Sequence, residues 1–137
     1  MILVLKGIPA SGKSTFARAW VSESPTTRVR INSDDIRSML GPYWVTSREE
    51  LVGELWKDML HEALTLNYDV VLDNMNLNPH VNDYIKSIAD RFHVKMEVKT
   101  FFIPVEECIS RDKGRPNSVG EKVIMRVYNR YKSILHD

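Results

Sequence analysis

A single cysteine, Cys108, cannot form an intramolecular disulfide, so nothing in the chain argues for a disulfide-stapled secreted scaffold. Long hydrophobic runs are missing too. The apolar start is interrupted by Lys6 and Gly7, far short of a membrane span, and it lacks the basic leader of a signal peptide. A buried first strand is the better reading, and a cytoplasmic location with no membrane partner is the default expectation. Charge of one sign is also lacking. With 19 Lys and Arg against 18 Asp and Glu, the net charge is only +1, which does not announce a nucleic-acid binder. The four histidines, His61, His80, His93 and His136, show no paired metal-ligand spacing. No repeat, low-complexity tract or interdomain linker interrupts the 137 residues, which are expected to form one domain over 1–137.

What is present is an ordinary globular composition, 43% hydrophobic and 27% charged, enough to bury a core. The charge is unevenly spread. Between Arg111 and Lys132 seven Lys and Arg face only Asp112 and Glu121, a local balance of +5. Such a stretch suits a polyanion, or is simply a solvated helix face.

Strand and helix patterns alternate along the chain. Ile2–Leu5 reads as a central parallel strand and Lys13 to about Ser22 as a helix halted before Pro25. Arg28–Asn32 and the Val-Val-Leu run inside Asp69–Asp73 read as further strands. The longest helix is predicted over Ser47–Leu66, with Leu51, Val52, Leu55, Trp56, Met59, Leu60, Ala63 and Leu64 on one face. Thr46 with Glu49, or Ser47 with Glu50, offers it a capping box. Asn78-Pro79 starts a helix running to Phe92. Val94, Met96 and Val98 alternate toward Phe101-Phe102-Ile103, a strand expected to end buried. A short helix over about Val105–Arg111, a Gly/Pro-containing stretch and a last helix carrying Val123 to Leu135 complete the chain. The expectation is a small α/β domain with a mostly parallel sheet flanked by helices on both faces.

Gly7-Ile8-Pro9-Ala10-Ser11-Gly12-Lys13-Ser14 fits the P-loop pattern G-x-x-x-x-G-K-S/T at every fixed position, after a strand and before a helix. Its glycines let backbone N–H groups close around a phosphate as an anion nest, and the helix N-terminus adds positive charge. Lys13 is expected to reach the β- and γ-phosphates of a nucleoside triphosphate such as ATP, and Ser14 to ligate Mg²⁺.

Two further strand ends carry acids. Asn32-Ser33-Asp34-Asp35-Ile36-Arg37 follows the second strand, and strand carboxyl ends line the crevice of an open parallel sheet. A carboxylate there can take a proton from an attacking hydroxyl, and Arg37 can hold the acceptor's phosphate. Alternatively, Asp34 or Asp35 caps a helix from Ile36. Asp73, at the tip of its strand, is placed to hold Mg²⁺ directly or through water.

These segments resemble the kinase domain of phage-type 5′-polynucleotide kinases, collinearly from about residue 2 to about 135. The shared segments are Gly7–Thr15, I-N-x-D-D-x-R at Ile31–Arg37, N-L-N-P at Asn76–Pro79, and Arg111-x-x-x-Arg115 before a Val-containing helix with a late tyrosine. The resemblance implies a P-loop kinase fold with Asp34 as general base and Arg37, with Asp35, at the acceptor strand. It implies Arg115 as the lid arginine over the transferring phosphate, in a lid around 111–120, and Arg111 as an ATP contact. Gly7, Ala10, Ser11, Gly12, Lys13, Ser14 and Thr15 would bind the nucleotide, with Ser14 and Asp73 at the metal. The implied reaction transfers the γ-phosphate of ATP or another NTP to 5′-OH ends of DNA or RNA. A 3′-phosphatase domain, which accompanies the best-known members, is not expected.

The sequence departs from the family in two places. Ser33 stands where the phage-type motif carries a basic residue. Asp73-Asn74-Met75-Asn76 moves the acid by one position and replaces the family's threonine with Met75. A small-metabolite or hydroxymethylated-base acceptor shares the same cradle and base. A non-catalytic nucleotide-binding module shares the cradle alone and has no use for Asp34, Arg37 and Arg115. Assembly into homo-oligomers is left open. Cys108, Trp56 and the Met59 stripe are read as core, and Tyr43 and Trp44 as a loop anchor on the sheet or a stacking surface for an acceptor base.

Overall fold

The computed structural model describes residues 1–135; His136 lies outside them. Strands β1 (Ile2–Lys6), β2 (Arg28–Ile31), β3 (Asp69–Leu72) and β4 (Met96–Thr100) form one parallel sheet in the order β2-β3-β1-β4. Register is set by Ile2 beside Val70 and Met96, and by Ile31 beside Leu72. Helices α1 (Lys13–Glu23), α2 (Ser33–Leu40), α3 (Glu49–Thr65), α4 (Pro79–Phe92), α5 (Val105–Lys113) and α6 (Glu121–Leu135) connect and cover the strands.

The strand order explains the layers. From β1 to β2 the chain moves one way across the sheet; from β2 to β3 and from β3 to β4 it moves back. Right-handed crossovers then put α1 on one face and α2, α3 and α4 on the other. The pleat follows the same division. Ile2 and Val4 of β1 point into a core with Ile36, Val52, Trp56, Leu60, Leu64, Ile85 and Ile88. Leu3 and Leu5 point into a second core against Ala17, Phe16 and Trp20 of α1. A third cluster, Ile8, Leu77, Val105, Cys108, Ile124 and Leu135, packs α5 and α6 beside the loops that leave β1 and β3. Cys108 is fully buried there, and burial pushes its thiol pKa up, as suits a small core hydrophobe.

Four expectations are corrected. The helix after β2 begins at Ser33, not Ile36, and its cap is Asn32, whose side chain accepts the Asp35 N–H at 2.8 Å. Asp34 and Asp35 are therefore in the first turn rather than acting as caps. α3 begins at Glu49 after a short 3₁₀ turn at Thr46–Arg48, and neither proposed capping box forms at its start. The buried line of α3 is Val52, Trp56, Leu60 and Leu64, whereas Leu51 and Met59 are exposed. A four-residue repeat drifts little around a 3.6-residue helix, so one narrow stripe is enough to reach the sheet. Finally, β4 stops at Thr100 and Phe102 is 58% exposed, because β4 is an edge strand rather than a central one. Asn78 does cap α4, with Pro79 at its first turn. No helix among the described residues is long and apolar enough to cross a membrane.

The stripe gives a direct check. Leu60→Ala, at a fully buried position, should cost about 2–5 kcal/mol in urea unfolding, whereas Met59→Ala should stay within about 1 kcal/mol. Equal losses would contradict the packing described.

Candidate active site

The loop between β1 and α1 is built for close approach. A Cβ on Gly7 would sit 2.6 Å from Ser11 Oγ and 3.2 Å from Phe101 Cβ. Ala10 and Gly12 both take left-handed backbone, with φ of 63° and 99°. Left-handed turns within such a loop direct successive N–H groups inward, which is how a nest forms. Gly12 is the N-cap of α1 and offers no side chain, so the first N–H groups of the helix are left for an anion.

Lys13 lies at the centre of this loop and is 7% exposed. Its Nζ donates to the carbonyls of Gly7 at 3.0 Å and Ile8 at 2.8 Å, and to Ser11 Oγ at 3.3 Å. Burial lowers its pKa to about 8, against an opposing pull from the Asp73 carboxylate. The loop is tied to the end of β3: Gly7 N–H donates to Met75 O, and buried Asn76 donates through Nδ2 to Leu5 O at 2.6 Å and Leu72 O at 3.0 Å.

The facing wall comes from α2. Asp34 is half exposed, and its Oδ1 accepts from Arg37 Nη1 at 2.6 Å and from Tyr43 Oη at 2.9 Å. No hydrogen bond occupies Oδ2 among the described residues. Arg37 is itself held from α3, where Glu49 accepts from Nε at 3.0 Å and from Nη2 at 2.7 Å. That bond is the chief reason the Arg37 pKa is raised. Two of its five N–H groups have no hydrogen-bond partner among the described residues. Tyr43 stays a donor, its pKa pushed up to about 12 by burial and then by the Asp34 charge. Trp44 next to it is 58% exposed, with the Arg37 guanidinium 5.3 Å from its ring centre. Neither residue is an anchor on the sheet. Behind them Arg48 Nη1 is enclosed without an acceptor in a small cavity lined by Leu40, Tyr43, Val45 and Val52.

Asp35 and Asp73 belong to a different cluster. Arg30 of β2 bridges them, with Nε on Asp73 Oδ2 at 2.7 Å and Nη1 on Asp35 Oδ2. Asn32 Nδ2 adds a bond to the Asp73 carbonyl at 2.6 Å, and Asn74 Oδ1 accepts the Ser33 N–H. Asp35 is thus turned from the Asp34–Arg37 pair toward the ends of β2 and β3. Asp73 is 1% exposed, and one of its oxygens is committed to Arg30.

The third wall is the α5–α6 connection. The would-be Cβ of Gly12 lies 3.8 Å from Arg111 Nη1, so this guanidinium sits over the phosphate loop, braced by Glu107. Arg115 pairs with Asp112 at 2.9 Å. Asp112 is buried, which by itself would push its pKa up. Hydrogen bonds from Val119 N–H, Ser118 Oγ, Gly120 N–H and Arg115 hold it down at about 2 instead. The charges on the three walls act on one another across one site. The charge of Arg115 lowers the pKa of both Lys13 and Tyr43, and that of Asp34 raises both. An open groove between α3 and α4, lined by Glu54, Lys57, Asp58, His61, Glu62 and Tyr84, shares no residue with it.

The donor chemistry fits a nucleoside triphosphate with Mg²⁺. The cradle and Lys13 suit phosphates, and Ser14 and Asp73 are hard oxygen donors at the loop's end. No group of three or more His, Cys, Asp or Glu among the described residues could hold a metal alone. Mg²⁺ would be shared with the substrate's phosphates, which is its usual mode.

A phosphate loop on a parallel sheet, with a carboxylate and cations facing it, defines a P-loop kinase. The chain belongs to the AAA-domain family, whose model matches residues 2–135. It is 25% identical over 140 residues to the L-seryl-tRNA(Sec) kinase of Methanococcus maripaludis, covering 96% of this chain and 52% of that protein. It superimposes with a TM-score of 0.80 on a chain of the Pnkp1/Rnl/Hen1 RNA repair complex, at 26% identity, covering 96% of this chain and 44% of the other. The APS kinase CysC of Mycobacterium tuberculosis, solved with AMPPNP and APS, shares the fold at a TM-score of 0.65 and 14% identity, covering 98% of this chain and 76% of that one. The chain spans about half the length of the curated relative it matches.

Sequence reasoning missed Glu49, Arg30 and Asp112 as parts of the site, and it read Tyr43 as a loop anchor or a stacking surface rather than as a donor to Asp34. Glu49 was assigned to a helix cap, and Asp112 counted only as an acid in a basic stretch. Nothing in local spacing marks a contact such as Arg37 to Glu49, twelve residues apart and between helices.

Two outcomes follow from the charges. Bound phosphates must raise the Lys13 pKa above its free value of about 8, so binding takes up protons and weakens as pH rises through that value. Calorimetric titration with ADP at pH 8.5, in buffers of different ionisation enthalpy, should report this uptake, and Lys13→Met should lose it. Asp112→Ala should cost about 2 kcal/mol of stability at pH 7. The Asp112 contribution is fully present above pH 3.8 and lost as pH falls through about 2. Wild type and variant should therefore converge in acid unfolding.

Proposed function

We propose that this chain is a 5′-hydroxyl polynucleotide kinase. The observation that carries the reading is the Asp34 carboxylate, held on one oxygen by Arg37 and Tyr43, without a hydrogen bond on the other among the described residues, and with its charge acting on Lys13. A pure nucleotide-binding module has no need of such a group. A hydroxyl meeting Oδ2 gives up its proton as its oxygen bonds to the γ-phosphorus and the bond to the leaving ADP oxygen breaks. The proton passes from Asp34 to solvent. Gly7 to Thr15 hold the phosphates, and Lys13 neutralises them. Arg111 faces the loop, and Arg115, released from Asp112, covers the charge that spreads over the transferring phosphoryl group. Ser14 and Asp73 would hold Mg²⁺, which would further offset phosphate charge. Arg37 acts first as the brace of Asp34, with two N–H groups left for an acceptor phosphate. Exposed Lys122, Arg126, Arg130 and Lys132 on α6 would attract the rest of a polyanion.

The acceptor class draws support from the segments at Ile31–Arg37 and Asn76–Pro79, and from the likeness to a chain of an RNA repair complex. The seryl-tRNA kinase relative favours a second reading, a hydroxyl carried on a charged tRNA. The test offers ATP labelled in its γ-phosphate to one oligonucleotide ending in 5′-OH and to the same strand already 5′-phosphorylated. Only the first should be labelled. Asp34→Ala should lower transfer by about 10²–10⁴-fold while ADP binding persists. Full activity in that variant removes Asp34 as base, and labelling of neither strand by the wild type removes the polynucleotide acceptor.

A further inference from the structure

One feature of the cleft plays no part in the chemistry above. Trp44 exposes 58% of its surface beside a wall otherwise made of charged and polar groups. An indole is a large apolar surface, and leaving it in water forgoes the burial that would stabilise the fold. Its position is nonetheless closely fixed. The Arg37 guanidinium lies 5.3 Å from the ring centre and donates to Asp34 at 2.6 Å. The preceding residue, Tyr43, donates to the same oxygen of Asp34 at 2.9 Å. The ring therefore stands about one guanidinium width from the carboxylate that meets the acceptor hydroxyl, and much of it is open.

We infer that Trp44 is a stacking platform for the nucleobase of the acceptor's terminal nucleotide, the one bearing the reacting hydroxyl. In a 5′-terminal nucleotide one ribose separates that hydroxyl from the base, so Asp34 and Trp44 engage the two ends of a single nucleoside. The inference rests on the polynucleotide reading and deepens it. Stacking tolerates every base because each has a π-face, and it selects for a base next to the hydroxyl without selecting sequence. Arg37 serves both ends, supporting the indole from one side and directing unused N–H groups at the linkage that follows. The same platform disfavours acceptors with no flat ring near the hydroxyl.

The experiment compares a single-stranded 5′-OH oligonucleotide with the same strand carrying an abasic tetrahydrofuran residue at its 5′ end. For the wild type, loss of the terminal base should raise KM about tenfold, the scale of one base–aromatic stack. Trp44→Ala should raise KM for the intact strand by a similar factor and erase its advantage over the abasic one. Trp44→Phe should keep most of that advantage. If Trp44→Ala weakens both strands equally, or neither, the platform is excluded while the kinase reading stands. If the wild type labels neither strand yet binds ADP, the polynucleotide reading fails and the platform fails with it.

Discussion

The buried ammonium of Lys13 is the constraint around which the rest of the site is arranged. A cation held 7% exposed at the end of a parallel sheet costs free energy unless oxygen surrounds it, and here the carbonyls of Gly7 and Ile8 and the Ser11 hydroxyl do so. That enclosure requires the loop to curl tightly, which explains the left-handed backbone at Ala10 and Gly12 and the absence of a side chain at Gly7. It also requires neighbours. The loop is stitched through Met75 and Asn76 to the segment that leaves β3, which fixes the phosphate cradle against the β3 tip.

The two halves of the cleft differ in how they are held. The phosphate-binding half is local: the six residues between β1 and α1 and the first two of α1 make the cradle, and their conformation follows from glycine positions and the helix start. The half that holds Asp34 is a relay across elements. Glu49 on α3 holds Arg37 on α2, Arg37 and Tyr43 hold Asp34, and Trp44 lies over Arg37. A relay of this kind can be retuned by changing the loop from Gly41 to Val45 without disturbing the cradle. One cradle can in this way be combined with different acceptor walls.

The strands, the helices and the cradle were legible because periodicity and glycine placement are local signals. Legibility ended where burial depended on a neighbour. Phe102 follows an alternating apolar run, yet β4 is the sheet's edge, and Phe102 stays more than half exposed. Met59 lies on the apolar arc of α3 but beside, not on, the line that faces the sheet. Asp73 was legible as a strand-tip acid, but its pairing with Arg30 was not, since their contact depends on β2 lying beside β3. Asp34 and Asp35 are adjacent in sequence and part company in space because successive helix positions point about 100° apart.

The sequence by itself determined that a nucleotide's phosphates have a place here, because one run of consecutive residues supplies the glycines, the helix start and the lysine of a phosphate cradle. It determined as well that strands and helices alternate, since side-chain periodicity is a property of the chain alone. Only the tertiary structure decided which carboxylate keeps an oxygen without a hydrogen bond among the described residues. Asp34, Asp35 and Asp73 are chemically alike, and what separates them is the cation each meets: Arg37 beside a free oxygen for the first, Arg30 for the other two. Such pairing depends on strand order and helix docking, which no stretch of consecutive residues encodes.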